Sequence, residues 1–503
     1  MSPLPSPTRS LARYRAATLS SAPLATLRVV IGTLVGLGAV RFVAEGWVDR
    51  LLGAEFRFTF YGFAWVPQVG PTAGYVLYAI IGASGIAVAL GYRYRWAAPL
   101  CLLSFTFAEL QDATHYLNHY YLVVLLLGLL CVVPAGDRYS LDVAAGRTAR
   151  RSRVPGWCVH VFIVQLAIVY FFAGLAKVNA DWLLRAMPLA IWLPERSWWP
   201  LVGPLFELPA TAYAFSWLGC LYDLTIAGWL LWSRSRRWAY LAVVAFHGLT
   251  WLLFNIGLFP LIMIGSTLVF FSAEQHERLW RAAGRLVGEV RRYASSAALL
   301  QGSLHTASVG TSVDITLAAF VPEPIARPFA HAASAKTEPS TGHPSSSPPT
   351  FALTPVRIAF LAAFFLLQLG LPLRGYAYPG PVAWSEEGYR FGWRVMLVEK
   401  AGHAEFTVVD AATGRRSLVD TGAYLTDYQE KQMAIQPEFI RQFAHHLREV
   451  YRERHGFSAA RVYVDAHVSL NGRRSRRLID PAVDLAAEAD GWTPRTWIKP
   501  FRR

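Results

Sequence analysis

The chain of 503 residues is 54% hydrophobic and only 16% charged, with a mean hydropathy of +0.31. A soluble protein of this length carries more charge, so the composition is that of a membrane protein. The net charge of +15 does not mark a nucleic-acid binder, because arginines cluster in short loops between apolar runs and no basic helix interleaves with aromatics.

In chain order, the basic residues Arg9, Arg13, Arg15 and Arg28 lead into a first apolar run with no clear small-residue cleavage site. That pattern predicts a retained span rather than a removed signal peptide. Apolar runs follow near 26–42, 73–91, 96–112, 119–134, 157–177, 212–232, 238–255, 257–273 and 355–373. A span needs about 20 apolar residues, so the runs predict a helical multi-pass bundle of about nine spans. The runs at 96–112 and 119–134 are short, and 238–273 reads equally as one broken unit.

Alternate loops are rich in arginine. Arg93 and Arg95 follow the second run, and Arg138, Arg147, Arg150, Arg151 and Arg153 the fourth. Arg234, Arg236 and Arg237 follow the sixth, and Arg278, Arg281, Arg285, Arg291 and Arg292 the eighth. The loops 43–71 and 179–211 are aromatic-rich and carry two arginines each. The bias puts the N-terminus in the cytoplasm and the end after the ninth span outside.

The expected organisation is a cytoplasmic segment 1–25, a helical catalytic domain 26–295, a disordered cytoplasmic linker 296–352, a final span 353–374 and an extracytoplasmic domain 375–503. The linker reading rests on Ala, Ser, Thr and Pro, which bury too little apolar surface to fold. The last part is read as a small α/β domain. Residues 394–398, 405–409, 461–470 and 477–479 alternate like strands, and 436–455 has helical period. Cys101, Cys131, Cys158 and Cys220 all precede it, so no disulfide framework is expected there.

Polar groups interrupt three apolar stretches. Lys177 is the only lysine before residue 336, in a chain with five lysines and 43 arginines. A desolvated lysine can lose its proton and act as a base, whereas arginine stays charged. The plainer reading is a lysine at a helix end that snorkels to the headgroups. Asp181-Trp182 reads as an interfacial cap and aromatic anchor, or as a carboxylate that keeps Lys177 charged. Asp223 and His247 are expected to pair, as structural glue or as a proton relay. His115 and His119 have a helical spacing that suits a metal, with Asp112 or Glu109 as a third ligand. However, a turn at Leu117-Asn118 spoils the register, and no metal is expected.

The chain resembles the vitamin K-dependent γ-glutamyl carboxylase family, in its bacterial form. The matching stretches are Asn118-His119-x-Tyr-Leu, Tyr170-Phe-x-Ala-Gly-x-x-Lys177-x-x-Ala-Asp181-Trp182 and Phe254-x-Ile-Gly257-x-Phe259. Later ones are Trp384-x-x-x-Gly388-Tyr-x-x-x-Trp393, Val468-Ser-x-Asn471, Asp480-Pro-x-Val-Asp484 and Trp497-x-x-Pro500. Any one motif is weak, but their order and spacing are specific.

The resemblance implies that Lys177 deprotonates a reduced naphthoquinone of the vitamin K type, to which oxygen adds. The rearranged product is basic enough to remove the γ-proton of a peptide glutamate, and the carbanion attacks CO2. Quinone epoxide and carboxyglutamate result, without a metal. The same resemblance gives His119 a hydrogen-bonding role in the reaction centre. Asn118, Tyr170 and His247 fall to the quinone pocket, and Trp384, Tyr389 and Trp393 to glutamyl substrate binding. It implies an exported protein or peptide as substrate, membrane lipid around the spans, and a quinone-epoxide reductase as functional partner. The alanine- and arginine-rich usage suits a bacterial inner membrane.

Departures from the family are Ala176, where animal members often have a second lysine, and cysteines that exclude a disulfide between membrane and lumenal parts. Members that extend further also argue against propeptide recognition here. Two other readings use the same residues. One is a quinone epoxidase without carboxylation, needing only Lys177 and the quinone pocket. The other is a transporter or lipid-binding protein with Asp112, Lys177, Asp223 and His247 as a path, against which no inverted repeat is visible.

Overall fold

The computed structural model describes residues 17–286, 288–289 and 351–501. The expected linker lies outside the described residues, as does most of the N-terminal segment. Every one of the apolar runs falls on a helix: α1 (Ala22–Ala44), α2 (Pro71–Leu90), α3 (Tyr94–Glu109), α4 (Asn118–Val132), α5 (Trp157–Lys177), α7 (Pro209–Leu231), α8 (Arg236–Leu253), α9 (Phe259–Thr267) and α10 (Pro355–Leu373). A short α6 (Ala180–Arg185) follows α5.

Among the described residues, five helices are long and apolar enough to cross a membrane: α1, α2, α5, α7, and α10 with the turn after it. The remaining four, among them the two runs read as short, are shorter or more polar than a full span, so five of the nine expected spans meet that measure. The reason is local. Helix α3 stops at Glu109 and α4 starts at Asn118, and the turn between them carries Asp112, a buried residue bonded to the outer domain. Helices α8 and α9 are likewise separated by 254–258, where Gly257 takes a φ of +60° that favours glycine. Both turns contribute residues to the wall of one cavity.

Helices α1 and α2 approach closely because small residues face each other. A Cβ added to Gly32 would lie 2.4 Å from Ala89 N, and one at Gly85 2.9 Å from Gly36 N. Without a hydrophobic drive between helices in lipid, such close backbone contact is what associates them.

The two ends of the bundle differ. At one end three of the four arginine-rich loops meet. Strands β1 (Thr18–Ser20) and β2 (Arg153–Pro155) pair there, Arg138 meets Glu277 at 3.1 Å, and Thr26 Oγ1 lies 2.9 Å from His276 Nδ1. Buried Arg28 donates to the carbonyls of Val88 and Tyr139. At the other end other loops contact the C-terminal domain. Thr59 and Gln442 exchange hydrogen bonds of 3.0 Å, and Gln429 Nε2 donates to Asp112 Oδ2 at 2.6 Å.

The C-terminal domain is a four-stranded antiparallel sheet with a helix on one face. Its order is β4 (Arg416–Leu418), β3 (Lys400–Asp410), β5 (Ala460–Leu470), β6 (Arg476–Arg477). The β3–β5 register runs from Lys400 opposite Leu470 to Asp410 opposite Ala460. Alternate residues of β5 are buried, as expected of a half-covered strand. Helix α11 (Asp427–Met433) precedes α12 (Pro437–Arg454), whose Phe439, Phe443 and Leu447 pack with Phe406 and Val462 in one core. The strand expected at 394–398 does not form. Trp393 and Met396 both adopt a φ of +55°, which breaks a ladder. The expected strand 477–479 is reduced to β6 and an isolated bridge between Ile479 and Ile498.

Asp181, after the fifth run, fastens the two parts. It accepts from Asn471 Nδ2 at 3.0 Å and from Arg473 Nη1 at 2.7 Å. Partial burial pushes this carboxyl up, but the hydrogen bonds from Arg473 and Asn471 outweigh it and hold it below its ordinary value. A depressed carboxyl contributes stability above its unfolded value of about 3.9, and that contribution is lost as pH falls through the lower folded value. Arg473→Ala is therefore expected to speed hydrogen exchange at 469–473 at neutral pH and to remove the acid sensitivity of that exchange. Unchanged protection in the variant would show that the contact does not fasten the domains.

Candidate active site

Helix α5 delivers Lys177 in its last turn. Asn179 ends it twice over, accepting from Trp182 N at 3.0 Å as the cap of α6 and donating to Ala176 O at 2.9 Å. Gly174 lets α7 come close, since a Cβ there would sit 2.7 Å from Leu224 N. That approach carries Asp223 to the lysine. Lys177 Nζ donates to Asp223 Oδ2 at 2.6 Å and more weakly to Ala173 O, and lies 5.3 Å from the Trp182 ring centre. Lys177 is 6% exposed and Asp223 4%. Buried ions persist only when paired, so each explains the other.

Asp223 thus pairs with Lys177 and not with His247, and the carboxylate beside the lysine is Asp223 rather than Asp181. His247 instead approaches Tyr170, whose hydroxyl is 3.4 Å from His247 Nε2 and 3.3 Å from Thr267 Oγ1. Lys177, Asp223, Tyr170 and His247 line a chamber of about 80 Å³ with Phe259 and Met396. His247 Nδ1 is buried there without a hydrogen-bond partner.

A second cavity of about 510 Å³ lies alongside. Its walls are largely aliphatic and aromatic, and its polar lining includes Arg41, Glu109, Asn118, His119, Tyr389 and Arg394. The two cavities share Ile256, Phe259, Val395 and Met396. The Phe259 ring centre is 5.7 Å from both His119 and His247, so this ring stands between the chambers.

The expected site residues therefore divide. Lys177, Tyr170 and His247 share the small chamber, while Asn118, His119 and Tyr389 line the large one. Trp393 lines neither cavity. It is 1% exposed and stacks on Tyr121 at 5.1 Å. Trp384 is in the outer core, donating to Lys499 O at 2.8 Å. His115 sits in a 3₁₀ turn against Trp47 and Tyr428, off the helix that carries His119. Among the described residues no group of His, Cys, Asp or Glu is arranged to hold a metal.

Sequence reasoning missed Asp223 as the partner of the lysine, the Phe259–Met396 wall, and Arg394. Gly174 was the available signal for the first. A small residue one turn before a buried lysine marks the helix face that another helix will approach.

A volume near 510 Å³ falls in the range of small-molecule sites, roughly 300–1,000 Å³, and suits a naphthoquinone, whereas the lysine chamber is below that range. The apolar lining fits such a ring, and Asn118 and His119 supply polar contacts on its wall.

Together these features define an integral membrane protein in which a helical bundle holds a lysine-centred polar site beneath an α/β cap. Its helical part, residues 15–274, matches the HTTM domain and makes up more than half of the chain. Residues 353–503 match the lumenal domain of vitamin K-dependent gamma-carboxylase. The chain belongs to the vitamin K-dependent γ-glutamyl carboxylase family. No solved structure matches it.

Proposed function

We propose that this chain is a membrane γ-glutamyl carboxylase that couples oxygenation of a reduced naphthoquinone to CO2 addition at a peptide glutamate, with Lys177 as the base. The observation that carries the reading is the buried Lys177–Asp223 pair in a chamber that shares its wall with a cavity of quinone size. When bound, the reduced quinone supplies, with oxygen, the strong base that a glutamyl γ-carbon requires and no side chain provides.

The residues of the chain do the rest. Lys177 must offer a neutral amine to take a proton, and Asp223 Oδ2, at 2.6 Å, is the group that can receive the lysine's own proton first. Tyr170 and His247 line the chamber and orient each other. His119 and Asn118 line the large cavity beside the wall, where they hold the ring and the arriving side chain. Tyr389 contributes to that lining. Trp393 and Trp384 act indirectly, by fixing the backbone of 384–396 against Tyr121 and the outer core. Largely apolar walls keep water from returning a proton to the carbon.

Nine crossings with a cytoplasmic N-terminus accompany this reading. Their support is that three of the four arginine-rich loops meet at one end of the bundle and the aromatic-rich loops meet the C-terminal domain. The glutamyl substrate then arrives from the extracytoplasmic side, with an epoxide reductase restoring the quinone.

Purified protein given a reduced naphthoquinone, oxygen, labelled bicarbonate and a short glutamyl peptide is expected to release quinone epoxide and to label the peptide. Epoxide with no label in the peptide would leave an epoxidase and remove the carboxylase.

A further inference from the structure

One cation in the large cavity has no role so far. Arg394 lines it, and its carbonyl accepts from Asn118 Nδ2 at 3.3 Å, next to His119 in the chain. The guanidinium lies 5.7 Å from the Tyr376 ring centre, in room left by Gly375, where an added Cβ would be 3.0 Å from Nη2. Among the described residues Arg394 makes no ion pair, and its Nε is buried without a hydrogen-bond partner. The other arginine of the cavity, Arg41, is already held by Glu45 at 2.8 Å.

A guanidinium with free donors beside a mostly apolar cavity is a receptor for a planar anion, which it grips through two parallel hydrogen bonds. We propose that Arg394 binds the γ-carboxylate of the glutamyl side chain and thereby selects an acidic residue over its neutral isostere. This rests on the carboxylase reading above. Of the reactants in that reading, the quinone and CO2 carry no carboxylate, whereas the glutamyl side chain does. The position suits it too. Val395 and Met396, the next two residues, belong to the wall shared with the lysine chamber. A carboxylate held by Arg394 keeps the γ-carbon, to which it is bonded, beside that wall. The guanidinium also offsets negative charge on the carbon that loses its proton, as preorganised donors do at a developing anion.

The test compares two fluorescent peptides, one with a single glutamate and one with glutamine in its place, binding to the full-length protein in nanodiscs. The wild type is expected to prefer the glutamate peptide roughly 10- to 100-fold, the range of a charged hydrogen bond left unmade. Arg394→Gln should erase the preference by weakening the glutamate peptide alone, and Arg394→Lys should keep part of it. Equal binding of both peptides by the wild type overturns the proposal, whatever the variants do. Retained preference in Arg394→Gln overturns it as well. Selective binding by a wild type that forms neither epoxide nor carboxyglutamate would remove the carboxylase reading and leave Arg394 as a carboxylate site.

Discussion

Lys177→Ala is expected to lower epoxide formation and peptide carboxylation together, by 10²- to 10⁴-fold, the usual contribution of a positioned base. The two products should fall in parallel because both depend on the same first proton transfer. The substitution also strands Asp223 in a buried position. Breaking such a pair from one side typically costs about 3–5 kcal/mol, so lost activity alone would be ambiguous. The double variant Lys177→Met with Asp223→Asn removes both charges and keeps most of the volume. It should melt near the wild type and remain inactive. A further discriminating readout is rescue: the space vacated in Lys177→Ala should let small primary amines restore part of the rate. A Lys177→Ala protein that stays folded and retains wild-type epoxidation would remove Lys177 as the base.

Asp223→Asn should be nearly as damaging, for a different reason. Asparagine preserves an oxygen near Lys177 but cannot take up the lysine's proton, and it leaves the ammonium without a counter-charge. A rate loss of about 10²-fold is expected, together with a lower melting temperature. Asp223→Glu, which keeps the acid, should recover part of both. Residues that act as one unit are strongly non-additive, so adding Asp223→Asn to Lys177→Ala should cost little further activity. Additive losses in that cycle would mean that the two residues act independently.

The sequence makes Lys177 legible because a lone lysine in an arginine-rich chain stands out. Its partner, 46 residues further on, is not legible. The contact is made by helix packing at Gly174, and many polar residues could have been carried there instead. The helices themselves are readable because bilayer insertion demands long apolar runs, and the outer sheet because one face of β5 is buried. Residues 394–398 mislead for an instructive reason. The run is apolar enough for a strand, but Arg394, Val395 and Met396 all line the large cavity, and Trp393 and Met396 take a φ of +55° that no ladder admits. The separation of His119 from Lys177 by Phe259 is purely tertiary, and motif order gave no hint of it.

The wall between the cavities has mixed ownership. Ile256 and Phe259 come from the bundle, while Val395 and Met396 come from the segment leading into the cap. An occupant of either chamber therefore presses on side chains from both parts. Linkage makes any resulting coupling reciprocal. If a bound peptide tightens the grip on the quinone by some factor, the quinone tightens the grip on the peptide by that same factor. A partition built this way lets the arrival of one reactant be felt by the other, without a separate sensor elsewhere in the protein.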